Sequence, residues 1–172
     1  MSEEAAAWDQ PTPTGQSRPV IEAYAAELAG RLGFTPGWAM RPVLERLGGR
    51  LEYECLHREM GESGSIFVYG PRDFKVILPQ HTSPSRDQFT MAHEIGHYLL
   101  HSRAGEKRIW MRRAGTGRLE WEANWFAGSF LMPEEEFRAS AADADWDPLS
   151  LAVRFNVSVD AANVRVRYLR GG

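Results

Sequence analysis

The sequence has a single cysteine, Cys55, and no apolar run approaching the roughly 20 residues of a membrane span. One cysteine excludes an internal disulfide framework and fits a reducing compartment, where Cys55 reads as a small core or strand residue rather than a thiol nucleophile. Charge of neither sign dominates. A net charge of -3 and a pI near 6.0 exclude any global attraction to nucleic acid or to an acidic membrane surface, so such a contact would have to be local. The opening stretch MSEEAAAWDQPTPTGQS lacks the basic and apolar regions of a secretory signal. Together these absences lead to the expectation of a cytoplasmic protein with no membrane partner and no direct binding to nucleic acid. What remains, 172 residues that are 43% apolar, suffices for one compact domain with its own core.

Within that domain the hydrophobic periodicity changes along the chain. Residues 1–18 have none and read as a flexible N-terminal tail, leaving 19–170 as the folded domain. Pro19 opens a helical pattern to about Leu32, with Ile21, Tyr24, Ala25, Leu28 and Leu32 as its apolar stripe, and a short helix is expected over 42–47. Three β-prone runs follow at 51–55, 65–69 and 74–78, separated by the turn-forming stretches 61–64 and 70–73, which predicts a small antiparallel sheet. The pattern is helical again to about His101, loop-like over 102–118, and strongly helical over 119–132, where Pro133 ends the run. Asp147-Pro148 and Ser158 are helix-start signals, so 148–170 reads as a helical hairpin of helix-turn-helix appearance.

The second of the long helical patterns carries His93-Glu94-Ile95-Gly96-His97, an HExxH motif. Two histidines four apart project from one helix face and can grip one metal ion, while Glu94 lies beside that face, where it can take a proton from an attacking water and pass it to a leaving amine. Gly96 costs helix propensity, which suggests that the sheet or another helix packs closely there. Tyr98 and His101 are candidates for stabilising an oxyanion by proximity alone. His101, one turn beyond His97, is a conceivable further ligand but is expected to be a partly buried or surface polar residue at the helix end.

A catalytic zinc site usually takes three protein ligands. Glu120 and Asn124, four apart on the 119–132 helix, can share a face, so that Glu120 would bind metal while Asn124 hydrogen-bonds the outer nitrogen of a ligand histidine. Glu122 points elsewhere on this spacing. The bland alternative is that both carboxylates are solvated charges on an exposed face.

Arg86, the stretch from Phe89 to His101, Glu120-Trp121-Glu122-Ala123-Asn124-Trp125-Phe126-Ala127 and Leu131-Met132-Pro133 together resemble the ImmA/IrrE family of zinc metallopeptidases. The resemblance implies an α+β fold similar to a minimal thermolysin-like core: a small antiparallel sheet packed on the HExxH helix and on a second, Glu-bearing helix, with N- and C-terminal helices. It implies one zinc ion held by His93, His97 and Glu120, with Glu94 as general base. It further implies a regulatory protease of the stress-response kind whose protein substrate is a helix-turn-helix transcriptional repressor or antitoxin-like partner, typically encoded beside it.

Two readings from other classes compete. The C-terminal helix pair, with Arg165, Arg167 and Arg170, is compatible with a DNA-binding regulator, against which Val159, Ala162, Val166 and Leu169 argue for a core-completing hairpin. A non-catalytic zinc-bearing interaction module is the other, and Glu94 argues against it because a structural site has no use for a general base. Trp121, Trp125, Phe126 and Phe130 are expected in the core rather than stacked on a substrate, Arg86 is read as orienting the loop before the active helix or as plain surface charge, and the basic stretch from Lys107 to Arg118 is read as a solvated loop or a local patch for an acidic partner.

Overall fold

The computed structural model describes residues 7–54, 64–112 and 117–171. Cys55 and most of the first predicted turn lie outside them. The chain runs through α1 (Arg18–Arg31), α2 (Arg41–Arg46), β1 (Gly49–Glu54), β2 (Ser65–Gly70), β3 (Asp73–Pro79), α3 (Pro84–Gly96), a π-helical turn (His97–His101), β4 (Trp110–Arg112), α4 (Arg118–Leu131), α5 (Glu134–Asp143), α6 (Pro148–Phe155) and α7 (Val159–Gly171). The fold is α+β, with helices flanking one small sheet.

The sheet is mixed rather than antiparallel. Its strand order is β1-β3-β2-β4, with β1 parallel to β3 and the other two pairings antiparallel. The tight turn between β2 and β3 uses one edge of β3, which leaves β1 the opposite edge, where it pairs in parallel. Alternation within a strand fixes its buried face but not its neighbour. Val76 at the centre of β3 faces Leu51 on one side and Ile66 on the other, and Ile66 in turn pairs with Met111. β4 falls inside the stretch expected to be loop, because three residues are too few to show a period.

Pro84 occupies the first turn of α3, and the Ser83 side chain accepts a hydrogen bond from the Arg86 amide (3.3 Å), so the helix begins where its capping residues dictate. From Thr90 to Gly96 every residue of α3 is buried. α4 crosses it, and α1 lies along α4, where the Ser129 hydroxyl donates to the Glu22 carbonyl (2.8 Å). α2 is tied to α3 through the Met40 amide, which donates to Gln88 Oε1 (2.7 Å). α5, absent from the expected pattern, starts immediately after Pro133 and brings Phe137 against Phe155 of α6 (centroids 5.1 Å apart). Pro133 therefore separates two helices instead of ending helical structure.

The C-terminal hairpin buries Leu151, Ala152, Phe155, Ala162, Val166 and Leu169, whereas Val159, assigned to packing, is largely exposed. Asp147 and Ser158 do cap α6 and α7, accepting from the Ser150 and Ala161 amides. Arg165 is only 3% exposed. Its guanidinium pairs with Glu22 of α1 (2.8 Å) and donates to the Met132 carbonyl (3.1 Å), locking α7 onto α1 and the end of α4. Arg18 shares the Glu22 carboxylate and lies flat on Tyr168 of α7.

Residues 7–17, read from the sequence as part of the flexible tail, contain no helix or strand and lie against the body of the protein. Trp8 packs on Phe67 and Tyr69, the Asp9 amide donates to the Arg108 carbonyl (2.7 Å), and the Thr14 amide donates to Glu122 (2.8 Å). Basic residues of the 107–118 stretch take part. Lys107 reaches Thr12, Arg108 stands over Trp8, and Arg118 donates to the Gln16 carbonyl at 2.5 Å, so the described part of this stretch holds the N-terminal segment instead of forming a free patch. Among the described residues, no helix is long and apolar enough to cross a membrane.

Glu22→Ala leaves the Arg165 guanidinium buried without its carboxylate. It is expected to cost about 3–5 kcal/mol in a denaturant titration; a loss under about 1 kcal/mol would show that Arg165 is solvated after all.

Candidate metal centre

The two motif histidines and Glu120 converge. His93 Nε2 lies 3.0 Å from His97 Nε2 and 3.2 Å from Glu120 Oε2, and His97 Nε2 lies 3.4 Å from Glu120 Oε1. All three side chains are buried, and their ligand atoms fall within 4.8 Å of one another. Zinc bonds of ~2.0–2.2 Å at tetrahedral angles place donor atoms roughly 3.3–3.6 Å apart. The observed separations match within a few tenths of an ångström. Among the described residues this is the one such cluster of His, Cys, Asp and Glu.

Tautomers support the same conclusion. Asn124 Oδ1 sits 2.9 Å from His93 Nδ1, and since an amide oxygen only accepts, His93 carries its proton on Nδ1 and turns the Nε2 lone pair towards the cluster. A carboxylate and two imidazole nitrogens converging on one place suit a divalent cation.

The position of Glu120 follows from how close the two helices come. A Cβ added at Gly96 would stand 3.2 Å from Phe126 Cδ1 and 3.3 Å from Ala123 Cα, so the bare glycine is what lets α4 lie against α3. Of the two partners expected at this contact, the sheet and the second helix, it is the Glu-bearing helix. Glu94, 1% exposed, is buried on α3. A Cβ at Gly64, just before β2, would be 3.2 Å from Glu94 Oε1 and 2.7 Å from Thr90 Cγ2, so the backbone there packs directly on the glutamate.

Behind His97 the expectation of partial exposure fails. His101 stands at the helix end and outside the metal cluster, as expected, but it is only 1% exposed. The π-helical turn, closed by the Ser102 amide donating to the His97 carbonyl (3.0 Å), brings His101 Nδ1 to 2.8 Å from His97 Nδ1. On its other side His101 Nε2 meets Glu122 Oε2 at 3.1 Å. Glu122 points away from the cluster, as its spacing requires, but it is fully buried rather than solvated. Burial raises its pKa, while hydrogen bonds from Arg118, Thr14 and His101 bring it down to about 2. Burial and the neighbouring His97 lower His101 to about 4, partly offset by Glu122. The sequence signal was present in two further spacings, His97 to His101, which share a helix face, and Glu120 to Glu122, but neither spacing shows that His101 and Glu122 meet.

Other candidates sort cleanly. Tyr98 is stacked on Phe74 (4.1 Å), and its hydroxyl accepts from the Arg72 amide (3.0 Å), so it faces the sheet and not a reacting group. Phe126 and Phe130 are core residues, but Trp121 is half exposed and with Trp125 lines a cleft of about 810 Å³. This cleft runs past Thr90 and Asn124 between α3, α4 and α7, and Arg86, Phe89 and Val164 also border it.

Asn124→Ala is expected to weaken zinc binding roughly 10- to 100-fold in competition with a chromogenic chelator. Unchanged affinity would remove Asn124 from the site.

The model of the IrrE N-terminal-like domain matches residues 53–167, about two thirds of the chain, and spans every residue of this cluster. Among curated proteins none matches. A solved structure, a Mycobacterium tuberculosis transcriptional regulator, superposes with a TM-score of 0.63 at 17% identity over 87% of this chain and 46% of that one, a likeness of fold. The chain thus spans less than half the length of that regulator. With the family model covering both the HExxH helix and the glutamate-bearing helix that completes the cluster, the chain belongs to the IrrE N-terminal-like (peptidase M78) family.

Proposed function

We propose that this chain is a zinc-dependent endopeptidase whose substrate is a protein, a helix-turn-helix repressor or antitoxin-like partner being the best fit. The observation that carries the reading is the convergence of His93, His97 and Glu120 on one point beside a buried Glu94. A bound zinc ion supplies Lewis acidity there, making water acidic and the scissile carbonyl electrophilic. His93 and His97 offer neutral nitrogen donors, and Glu120 offers the charged oxygen that favours a divalent ion in a buried place.

Glu94 then acts as general base. It accepts the proton of the attacking water and returns it to the amide nitrogen as the carbon–nitrogen bond breaks, so that no covalent enzyme intermediate is needed. The packing of Gly64 and Thr90 on its side chain limits the rotamers open to it, which is what proton transfer at fixed geometry requires. The cleft past Asn124 gives a polypeptide a place to lie, and Trp121, Trp125, Phe89 and Val164 give its apolar side chains a wall.

A regulatory role rests on the family and on the description of the structural neighbour as a transcriptional regulator. The rival DNA-binding reading loses one of its three arginines, since Arg165 is buried in the pair with Glu22. The rival non-catalytic module differs in one measurable respect. Incubated with the repressor encoded beside its gene, zinc-loaded protein is expected to cut it at one site, whereas Glu94→Gln, still holding one zinc per chain, slows cleavage by at least roughly 100-fold. Equal cleavage by the variant, or an intact repressor with the parent protein, would contradict the proposal.

A further inference from the structure

The contacts behind His97 form a directed chain. Both oxygens of Glu122 already face groups that donate, the Thr14 and Gly15 amides, the Thr14 hydroxyl and Arg118 Nε, so the carboxylate is built to accept and the hydrogen bond to its Oε2 is donated by His101 Nε2. A neutral His101 that donates from Nε2 has a lone pair on Nδ1, which obliges His97 to donate from its own Nδ1. His97 is then left with its lone pair on Nε2, the atom that faces His93 and Glu120.

The far end of this chain is fixed unusually well. Glu122 Oε2 also accepts from the Thr14 amide (2.8 Å) and hydroxyl (3.0 Å), and Oε1 accepts from the Gly15 amide (3.2 Å) and Arg118 Nε (2.9 Å). Five donors from three parts of the chain therefore hold a carboxylate that touches no ligand atom of the cluster. A buried charge so far committed has to be doing something that an apolar side chain would not. The π-helical turn coincides with this pair, since its five residues, His97–His101, begin and end on the two imidazoles.

We propose that His101 and Glu122 are positioning residues of the metal centre: a buried histidine–carboxylate pair that fixes the tautomer and orientation of His97 and raises its basicity as a ligand. The proposal rests on the reading of His93, His97 and Glu120 as a metal centre. Asn124 does the corresponding work for His93 by one direct bond, whereas His97 is reached through an intermediate imidazole. The two ligand histidines are thus oriented by opposite kinds of group, a neutral amide on one side and a relayed carboxylate on the other.

The test compares zinc dissociation constants of the full chain by chelator competition, with the unfolding midpoint of the metal-free protein and the visible spectrum of the cobalt form as companion readouts. His101→Leu is expected to bind zinc roughly 10- to 100-fold more weakly and to change the cobalt spectrum. His101→Gln, whose amide can accept from His97 and donate to Glu122, is expected to return affinity to within about threefold of the parent. Parent-like affinity in His101→Leu, or equal losses in the two variants, would overturn the proposal, because packing and not the hydrogen bonds would then be at work. Should His101→Leu not fold, Glu122→Gln keeps the side-chain volume and removes the charge; it is expected to lose zinc affinity by roughly the same order, and an unchanged constant overturns the proposal equally. A parent protein that binds no zinc would instead sink the metal centre itself, which keeps the two failures apart.

Discussion

Everything chemical in this chain depends on how closely α4 can approach α3. The gap is set at Gly96, where a single methyl group would meet Phe126 and the Ala123 backbone. With the helices in contact, one face of α4 delivers Glu120 and Asn124 together, the first to the ligand cluster and the second to the outer nitrogen of His93. Moving the helices apart by even an ångström would leave the two imidazoles facing each other with no anion between them. The motif glycine is therefore a spacing device, and its cost in helix propensity is offset by the contact it permits.

The second constraint is electrostatic. His93, Glu94, His97, His101, Glu120 and Glu122 are all buried within one region of a small protein. Taking that many polar groups from water is unfavourable unless nearly every one is paired. The structure meets the demand at the three histidines and Glu122 through specific partners: Asn124 for His93, His101 for His97, and five donors for Glu122, His101 among them. The sheet contributes by exclusion. Phe74, Val76, Leu78 and Ile66 of the sheet are fully buried, and the cleft lined by Asn124 and Thr90 lies along α3, α4 and α7.

Much of this was legible from residue spacing. The HExxH pattern placed two histidines on one helical face, the four-residue interval from Glu120 to Asn124 assigned that helix a ligand and its neighbour, and Gly96 announced a close approach. Helix starts at Asp147-Pro148 and Ser158 were readable because capping is local chemistry, whereas Ser83 to Ser85, read as loop, already belong to the cap and first turn of α3. What was not legible depends on contacts between distant segments. Strand order is one case, since the alternation in β1 is indifferent to which edge of β3 receives it. The π-helical turn is another: nothing in His97-Tyr98-Leu99-Leu100-His101 distinguishes it from ordinary helix, and only the buried Glu122 gives His101 a reason to turn inward. Arg165 belongs with these, because its partner Glu22 lies at the other end of the chain.

The segment ahead of α1 meets the metal region through Thr14 and Glu122, residues 108 positions apart, and α1 meets α7 through Glu22 and Arg165, 143 apart. Loops of this length are inexpensive to close, since each doubling adds only about 0.6 kcal/mol of entropy. They do, however, impose an order in time. A chain emerging from the ribosome has His93, His97 and His101 in hand before Glu120 and Glu122 exist, and it completes α1's anchorage only when α7 has been made. The cluster thus cannot close before α4 has been made, which leaves the nascent HExxH helix without its carboxylate partner until then.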